Sequence, residues 1–159
     1  MKLRLIFGYG AVGGALFLAN LAYATNPSGS HPMKRQVIHI PNAPSSPLYS
    51  QAIKVGPTIW VTGILGLDPA TNKVAGATIQ EQTRQALINC ENILRAAGAQ
   101  LTDVVEVQVL LARPADFEGM NEAYAKFFPI DPPTRSTTRL GPELPNILVS
   151  IKMTAVLTD

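Results

Sequence analysis

Apolar and polar positions along the chain change period several times, and each change marks an element. Gln36–Ile40 (QVIHI) alternates over a short β-prone run, which predicts a first strand. Pro41–Gln51 carries three prolines and cannot be regular structure. Ala52–Gly63 (AIKVGPTIWVTG) predicts a hairpin turning at Gly56 and Pro57, and Leu67–Lys73 predicts a further turn. From Thr78 to Ala97 the apolar positions Ala86, Leu87, Cys90, Ile93, Leu94 and Ala97 recur at spacings of three and four, with Ile79 ahead of them. That stripe predicts an amphipathic helix. Thr78 and Glu81 have the spacing of a capping box, and Gly98 stands where a left-handed residue ends a helix.

The period then falls to two. Val105, Val107, Val109 and Leu111 alternate with Glu106, Gln108 and Leu110, which predicts a half-buried strand. Pro114 opens a second helix with Phe117, Met120, Tyr124 and Phe127 or Phe128 on one face, and Pro129–Pro133 ends it. A short strand over Arg135–Leu140 and an alternating strand over Leu148–Leu157 complete the order β-ββ-α-β-α-β-β. Two helices with apolar stripes must cover one face of a mixed sheet, so the fold class is α+β. Val104, Leu110 and Val156 suggest that the other sheet face is also apolar and calls for self-association.

The N-terminus changes the picture of the whole chain. A basic start (MKLR), an uncharged apolar run over Leu5–Ala19 and the small-x-small triplet Ala22–Ala24 have the three-part layout of a secretory signal peptide. The run is shorter than the roughly 20 residues of a spanning helix. This predicts export to a periplasm with cleavage after Ala24. The same pattern also allows an uncleaved membrane anchor. Residues 1–24 are then the signal peptide, 25–35 a polar proline-bearing linker, and 36–159 the domain, with no membrane association after processing.

Cleavage removes Lys2 and Arg4 and no acid. From 13 basic and 11 acidic residues, 13 − 2 = 11 basic remain against 11 acidic, a net charge of zero. A neutral domain carries no electrostatic footprint for nucleic acid. Cys90 is the only cysteine, so no intrachain disulfide forms, and its place on a helical stripe predicts a small buried hydrophobe. His31 and His39 have no partners at ligand spacing, so no metal site is expected. There is no glycine-rich phosphate loop and no serine nucleophile elbow, and no cofactor is expected.

Arg135 is the candidate for chemistry. It follows two prolines and a threonine, a stiff approach, and precedes the small residues Ser136, Thr137 and Thr138. A planar guanidinium grips a carboxylate through two parallel hydrogen bonds and so fixes its plane, which lysine cannot do. An arginine at a strand start also pairs with a neighbouring acid, and the residues alone leave that alternative open.

Five ordered blocks carry a resemblance: SPLYSQA (Ser46–Ala52), VTGILGLDPATNKV (Val61–Val74), QTRQALINCENILRAAGA (Gln82–Ala99), DFEGMNEAYAKFF (Asp116–Phe128) and PTRSTTRL (Pro133–Leu140). On these the chain from about Pro44 onward resembles the RidA/YjgF family, also called the endoribonuclease L-PSP family. The resemblance implies a chorismate-mutase-like α+β fold. It also implies a homotrimer with an inner barrel of sheets and one cleft at each subunit interface. The implied activity is hydrolysis of reactive enamines and imines, such as 2-aminoacrylate, to 2-keto acids and ammonia.

Carried over by residue, Arg135 matches the family's substrate-binding arginine. Tyr49 matches a loop tyrosine able to wall off an imine from water, and Gly63 a glycine whose backbone approaches the ligand. Asn121 matches a position near the cleft. Thr137 stands where many members have cysteine, and its backbone N–H can still reach a ligand. Ser150 is the departure. It falls where the family deaminases carry a glutamate that orients or activates water. Serine orients water but is no base near neutral pH, and general acid–base help is typically worth about 10²–10⁴ in rate. Two functions follow: an imine deaminase without that base, or a trimeric binder of small carboxylates and keto acids. The ribonuclease of the older family name is disfavoured by the neutral charge and the lack of a basic patch interleaved with aromatics.

Overall fold

The computed structural model describes residues 33–41 and 46–158. The signal peptide, its cleavage site, residues 25–32 of the linker and His31 lie outside the described residues.

Six strands form one sheet: β1 (Arg35–Ile38), β2 (Ala52–Val55), β3 (Thr58–Leu65), β4 (Val104–Leu111), β5 (Thr134–Arg139) and β6 (Val149–Val156). Their order is β1-β2-β3-β6-β4-β5, so the C-terminal strand lies at the centre, between β3 and β4. All neighbours are antiparallel except β4 and β5, which are parallel and joined by a crossover through helix α2 (Phe117–Tyr124). Helix α1 (Ile79–Ala96) connects β3 to β4. Both helices pack together on one face of the sheet. This is the α+β mixed sheet with two helices that the periodicity predicts.

Strand alternation sets the core. Ile59 and Val61 from β3, Val107 and Val109 from β4, and Val149, Ile151, Met153 and Ala155 from β6 are all essentially inaccessible on the helix side. Opposite them lie Ala86, Leu87, Cys90, Ile93 and Leu94 of the α1 stripe, also buried. The Cys90 thiol donates to the Ile151 carbonyl at 3.7 Å, and burial pushes its pKa up. It is a buried apolar group and not a reactive thiol.

The ends of α1 follow the expected chemistry. Thr78 Oγ1 accepts from the Glu81 N–H at 3.3 Å, and the Glu81 carboxylate accepts from the Thr78 N–H at 3.0 Å. Gly98 has φ +82° just past the C-terminus. The polar Gln82 in the first turn is buried and ties three segments together. Its amide donates to the carbonyls of Gly76 and Asn146 at 3.0 and 2.9 Å, and its oxygen accepts from the Leu148 N–H at 2.9 Å. The second helix starts later than expected, because Pro114–Asp116 form a 3₁₀ turn before α2.

Two β-bulges depart from simple alternation. In β4 the register shifts between Val104 and Glu106, which turns Val104 into the core and leaves Val105 47% exposed. In β3 it shifts between Val61 and Ile64, with Gly63 inside the bulge. The face away from the helices is therefore more polar than expected. Val104 is absent from it, and Trp60, Leu110 and Val156 share it with Glu106, Gln108, Lys152 and Thr154.

Candidate functional site

Arg135 lies on β5, an edge strand, in register with Val107, so its side chain leaves the sheet on the helix side. Thr134 anchors the strand start by donating its hydroxyl to the Val105 carbonyl at 2.8 Å. The guanidinium carbon of Arg135 sits 4.8 Å from the centroid of the Tyr124 ring and 5.9 Å from that of Phe117. Nη1 lies 4.0 Å from the Met120 sulfur. All three supports come from α2, where Phe117, Asn121 and Tyr124 form one i, i+4, i+7 stripe. The aromatic faces hold the cation, and of its N–H groups Nη1 is engaged only weakly, with the Met120 sulfur.

Among the described residues no acid lies within ion-pair distance of the guanidinium. Among the described residues the ion pairs are Arg95–Glu91 and Arg113–Asp116. The alternative of a neighbouring acid for Arg135 is not what the structure contains. Two further polar atoms on the same stripe lack partners while buried: Asn121 Oδ1 and the Tyr124 hydroxyl. Burial raises the Tyr124 pKa, and the charge of Arg135 opposes that rise. Buried polar atoms left unpaired are uncommon and call for a ligand or an ordered water. Arg135 is exposed and can meet a carboxylate, whereas Asn121 Oδ1 and the Tyr124 hydroxyl are closed off inside the chain. Thr137, two residues on and facing the same way, is half-buried beside Val109.

The remaining predicted residues gather elsewhere. A Cβ built on Gly63 would lie 2.8 Å from Ser150 Oγ, so the bulge glycine and Ser150 are in contact range. Ser150 is buried, in register with Leu65 on one side and Leu110 on the other. Tyr49 is 57% exposed on the loop before β2 and, with Gly63, lines a cavity of about 800 Å³. Arg135 is not among the lining residues.

One chain therefore holds the predicted residues in two separate groups. β4 lies between β6 and β5, so Ser150 and Arg135 are two strand spacings apart across the sheet, about 10 Å, and also offset along it, since Ser150 is level with Leu110 and Arg135 with Val107, about a further 10 Å. They also point to opposite faces of the sheet. A small ligand cannot touch both within the same chain. Sequence reasoning missed Tyr124 and Phe117 as supports for Arg135, since aromatics at helical spacing read as core. The one available signal was their placement on the helix that leads directly into the arginine strand.

Among the described residues no group of histidine, cysteine, aspartate or glutamate is arranged to hold a metal ion. No described helix is long and apolar enough to cross a membrane.

Comparison with known proteins adds names to this geometry. A family model described as endoribonuclease L-PSP matches residues 40–157. The chain is 39% identical over 126 residues to Reactive Intermediate Deaminase A, chloroplastic, of Arabidopsis thaliana, a match covering 79% of this chain and 67% of that protein. It is 38% identical over 108 residues to the 2-iminobutanoate/2-iminopropanoate deaminase of Capra hircus, covering 67% of this chain and 79% of that one. The crystal structure of RidA from the Antarctic bacterium Psychrobacter sp. PAMC 21119 superposes with a TM-score of 0.71 at 32% identity, covering 77% of this chain and 99% of that one.

Proposed function

The chain belongs to the endoribonuclease L-PSP family, and on that premise we propose that it hydrolyses 2-imino acids to 2-keto acids and ammonium. The observation that carries this is Arg135, a guanidinium seated on two aromatic rings with no acid paired to it among the described residues. Relatives named as reactive intermediate and 2-iminobutanoate/2-iminopropanoate deaminases support the substrate class.

The two groups are joined across copies of the chain, in a homotrimer. Arg135 of one copy holds the substrate carboxylate through two parallel hydrogen bonds. The Gly63 bulge and Tyr49 of the next copy close over the planar imine. An enamine such as 2-aminoacrylate first takes a proton on carbon and becomes the iminium. Water then adds to the iminium carbon, the carbon–nitrogen bond of the resulting carbinolamine breaks, and ammonium leaves with the keto acid as product.

Ser150 orients the water through its hydroxyl and leaves proton removal to solvent. The rate is lower than with a carboxylate base at this position, by up to the about 10²–10⁴ that such help provides. An iminium is electrophilic enough for a held water to suffice. The N-terminal layout supports an activity outside the cytoplasm, and N-terminal sequencing of the mature protein, expected to begin at Thr25, tests that.

The test generates 2-iminopropanoate in situ and follows its decay to pyruvate. The wild type accelerates decay over buffer, and Arg135→Lys lowers kcat/KM by about 10–100-fold through loss of the bidentate grip. The binder reading is kept because of Ser150. It prevails if decay is not accelerated while calorimetry shows 2-oxobutanoate binding to the wild type and not to Arg135→Ala. Equal behaviour of the wild type and both variants in both assays overturns the two readings together.

A further inference from the structure

Hydrolysis of an imine moves protons in both directions. The attacking water must lose one, and the departing nitrogen must gain one. Ser150, within contact range of Gly63, carries a hydroxyl that is no base near neutral pH. Among the described residues, the cavity of about 800 Å³ beside Gly63 and Tyr49 has no lysine, arginine, aspartate, glutamate or cysteine in its lining. It does have His39. Histidine is the side chain whose ordinary titration falls near neutrality, so it can take a proton in one step and return it in the next.

Gln51 fixes His39 relative to Gly63. β1 ends at Ile38, paired with Ala52 of β2, so His39 follows beside Gln51. The buried Gln51 holds both neighbours. Its Oε1 accepts from the Ile40 N–H at 2.7 Å, which secures the chain just beyond His39. Its backbone carbonyl accepts from the Thr62 N–H at 3.0 Å, which secures the chain just before Gly63. His39 and Gly63 therefore flank the start of β2, two strand spacings apart, about 10 Å. An imidazole side chain spans part of that distance and one water bridges the rest, an arrangement across which a general base still acts.

Resting on the imine-hydrolase reading above, we infer that His39 is the acid–base group of the reaction, acting through a bridging water. It belongs to the same copy of the chain as Tyr49 and Gly63. The neutral imidazole accepts a proton as the oxygen of the attacking water bonds to the iminium carbon. The imidazolium then returns that proton to the carbinolamine nitrogen. The carbon–nitrogen bond breaks with its electron pair on nitrogen, the hydroxyl proton passes to the departing ammonia, and ammonium leaves with the keto acid. His39 ends the cycle neutral. It borders a second, smaller cavity together with Tyr49 and Gln51. Among the described residues lining the two cavities, Tyr49 is the only other titratable side chain, so an acid limb in the rate belongs to His39.

The experiment follows the decay of 2-iminopropanoate with the full chain as wild type, His39→Gln and His39→Ala. His39 is exposed, so each variant is expected to keep the wild-type melting temperature. Wild-type kcat/KM is expected to fall on the acid side, where the imidazole is protonated. Both variants lose about 10²-fold at neutral pH, the low end of general acid–base help, and their profiles lose that acid limb. Added imidazole restores much of the rate to His39→Ala and leaves the wild type unchanged.

A rate unchanged in both variants overturns the inference. So does a loss that imidazole fails to repair while the acid limb persists, since that is the signature of a structural role. Either result leaves the hydrolase standing. A wild type that accelerates decay at no pH overturns the hydrolase and this assignment together.

Discussion

Gly63 and Ser150 show how much depends on single atoms at this site. The bulge in β3 brings the backbone of Gly63 so near Ser150 that a methyl group on the glycine would meet Ser150 Oγ. Gly63 is not in the left-handed region, so alanine there is penalised by contact and not by backbone conformation. Gly63→Ala is expected to cost about 1 kcal/mol of stability, the low end for overpacking. Ser150→Ala in the same chain removes the opposing oxygen and should recover most of that loss. Denaturant titration of the two single variants and the double variant measures the coupling. Simple additivity would mean that the two residues do not touch. Arg135 presents the opposite case. The sequence marks it by its approach and its small neighbours, but the aromatic support beneath it appears only when α2 is laid against β5.

At the scale of elements, α1 does the most positioning. Its N-terminus is held by Thr78 and Glu81, its first turn by Gln82, and its start is drawn against the end of β3 because Gly66 lies against the Gln82 backbone. Thr78→Ala removes the cap and should lower stability by about 1 kcal/mol. Glu81 carries a pH signature. The Thr78 backbone N–H, and then its side chain, hold the Glu81 carboxyl below the usual carboxylate range. A carboxyl whose pKa is lower in the folded chain contributes stability above its unfolded pKa and loses it as pH falls through the folded one. Melting temperature against pH should therefore drop on the acid side, and Glu81→Gln should flatten that limb while lowering the neutral plateau. An unchanged acid limb in Glu81→Gln would assign the acid sensitivity to other carboxylates, of which Asp68, held low by the N–H groups of Thr71 and Ala70, is the first choice.

The whole molecule poses the question of assembly. Arg135 and Ser150 leave opposite faces of the sheet, so a site that uses both needs two copies of the chain. Trp60, the only tryptophan, is 43% exposed on the face away from the helices, opposite Thr154 in β6. If the proposed homotrimer is built on this face, sedimentation of the wild type gives three chain masses and the tryptophan emission is that of a buried ring. Trp60→Lys then yields a smaller species and loses imine turnover without touching Arg135. A monomeric wild type that still hydrolyses imines would place the complete site within one chain and overturn the shared-site arrangement.

The sequence by itself determined the elements, their order and the family. Helical stripes, strand alternation, the capping box at Thr78 and the glycine stop at Gly98 depend on backbone geometry within a few residues, so they are legible locally. It also determined which residue types stand at the positions the resemblance points to, including arginine at 135 and serine at 150. Tertiary structure decided the two bulges, which way Val104 and Val105 face, the contact of Gly63 with Ser150, and the aromatic bed under Arg135. Each of these depends on register between segments tens of residues apart. A shift of one residue there reverses every side chain, and no local period records it.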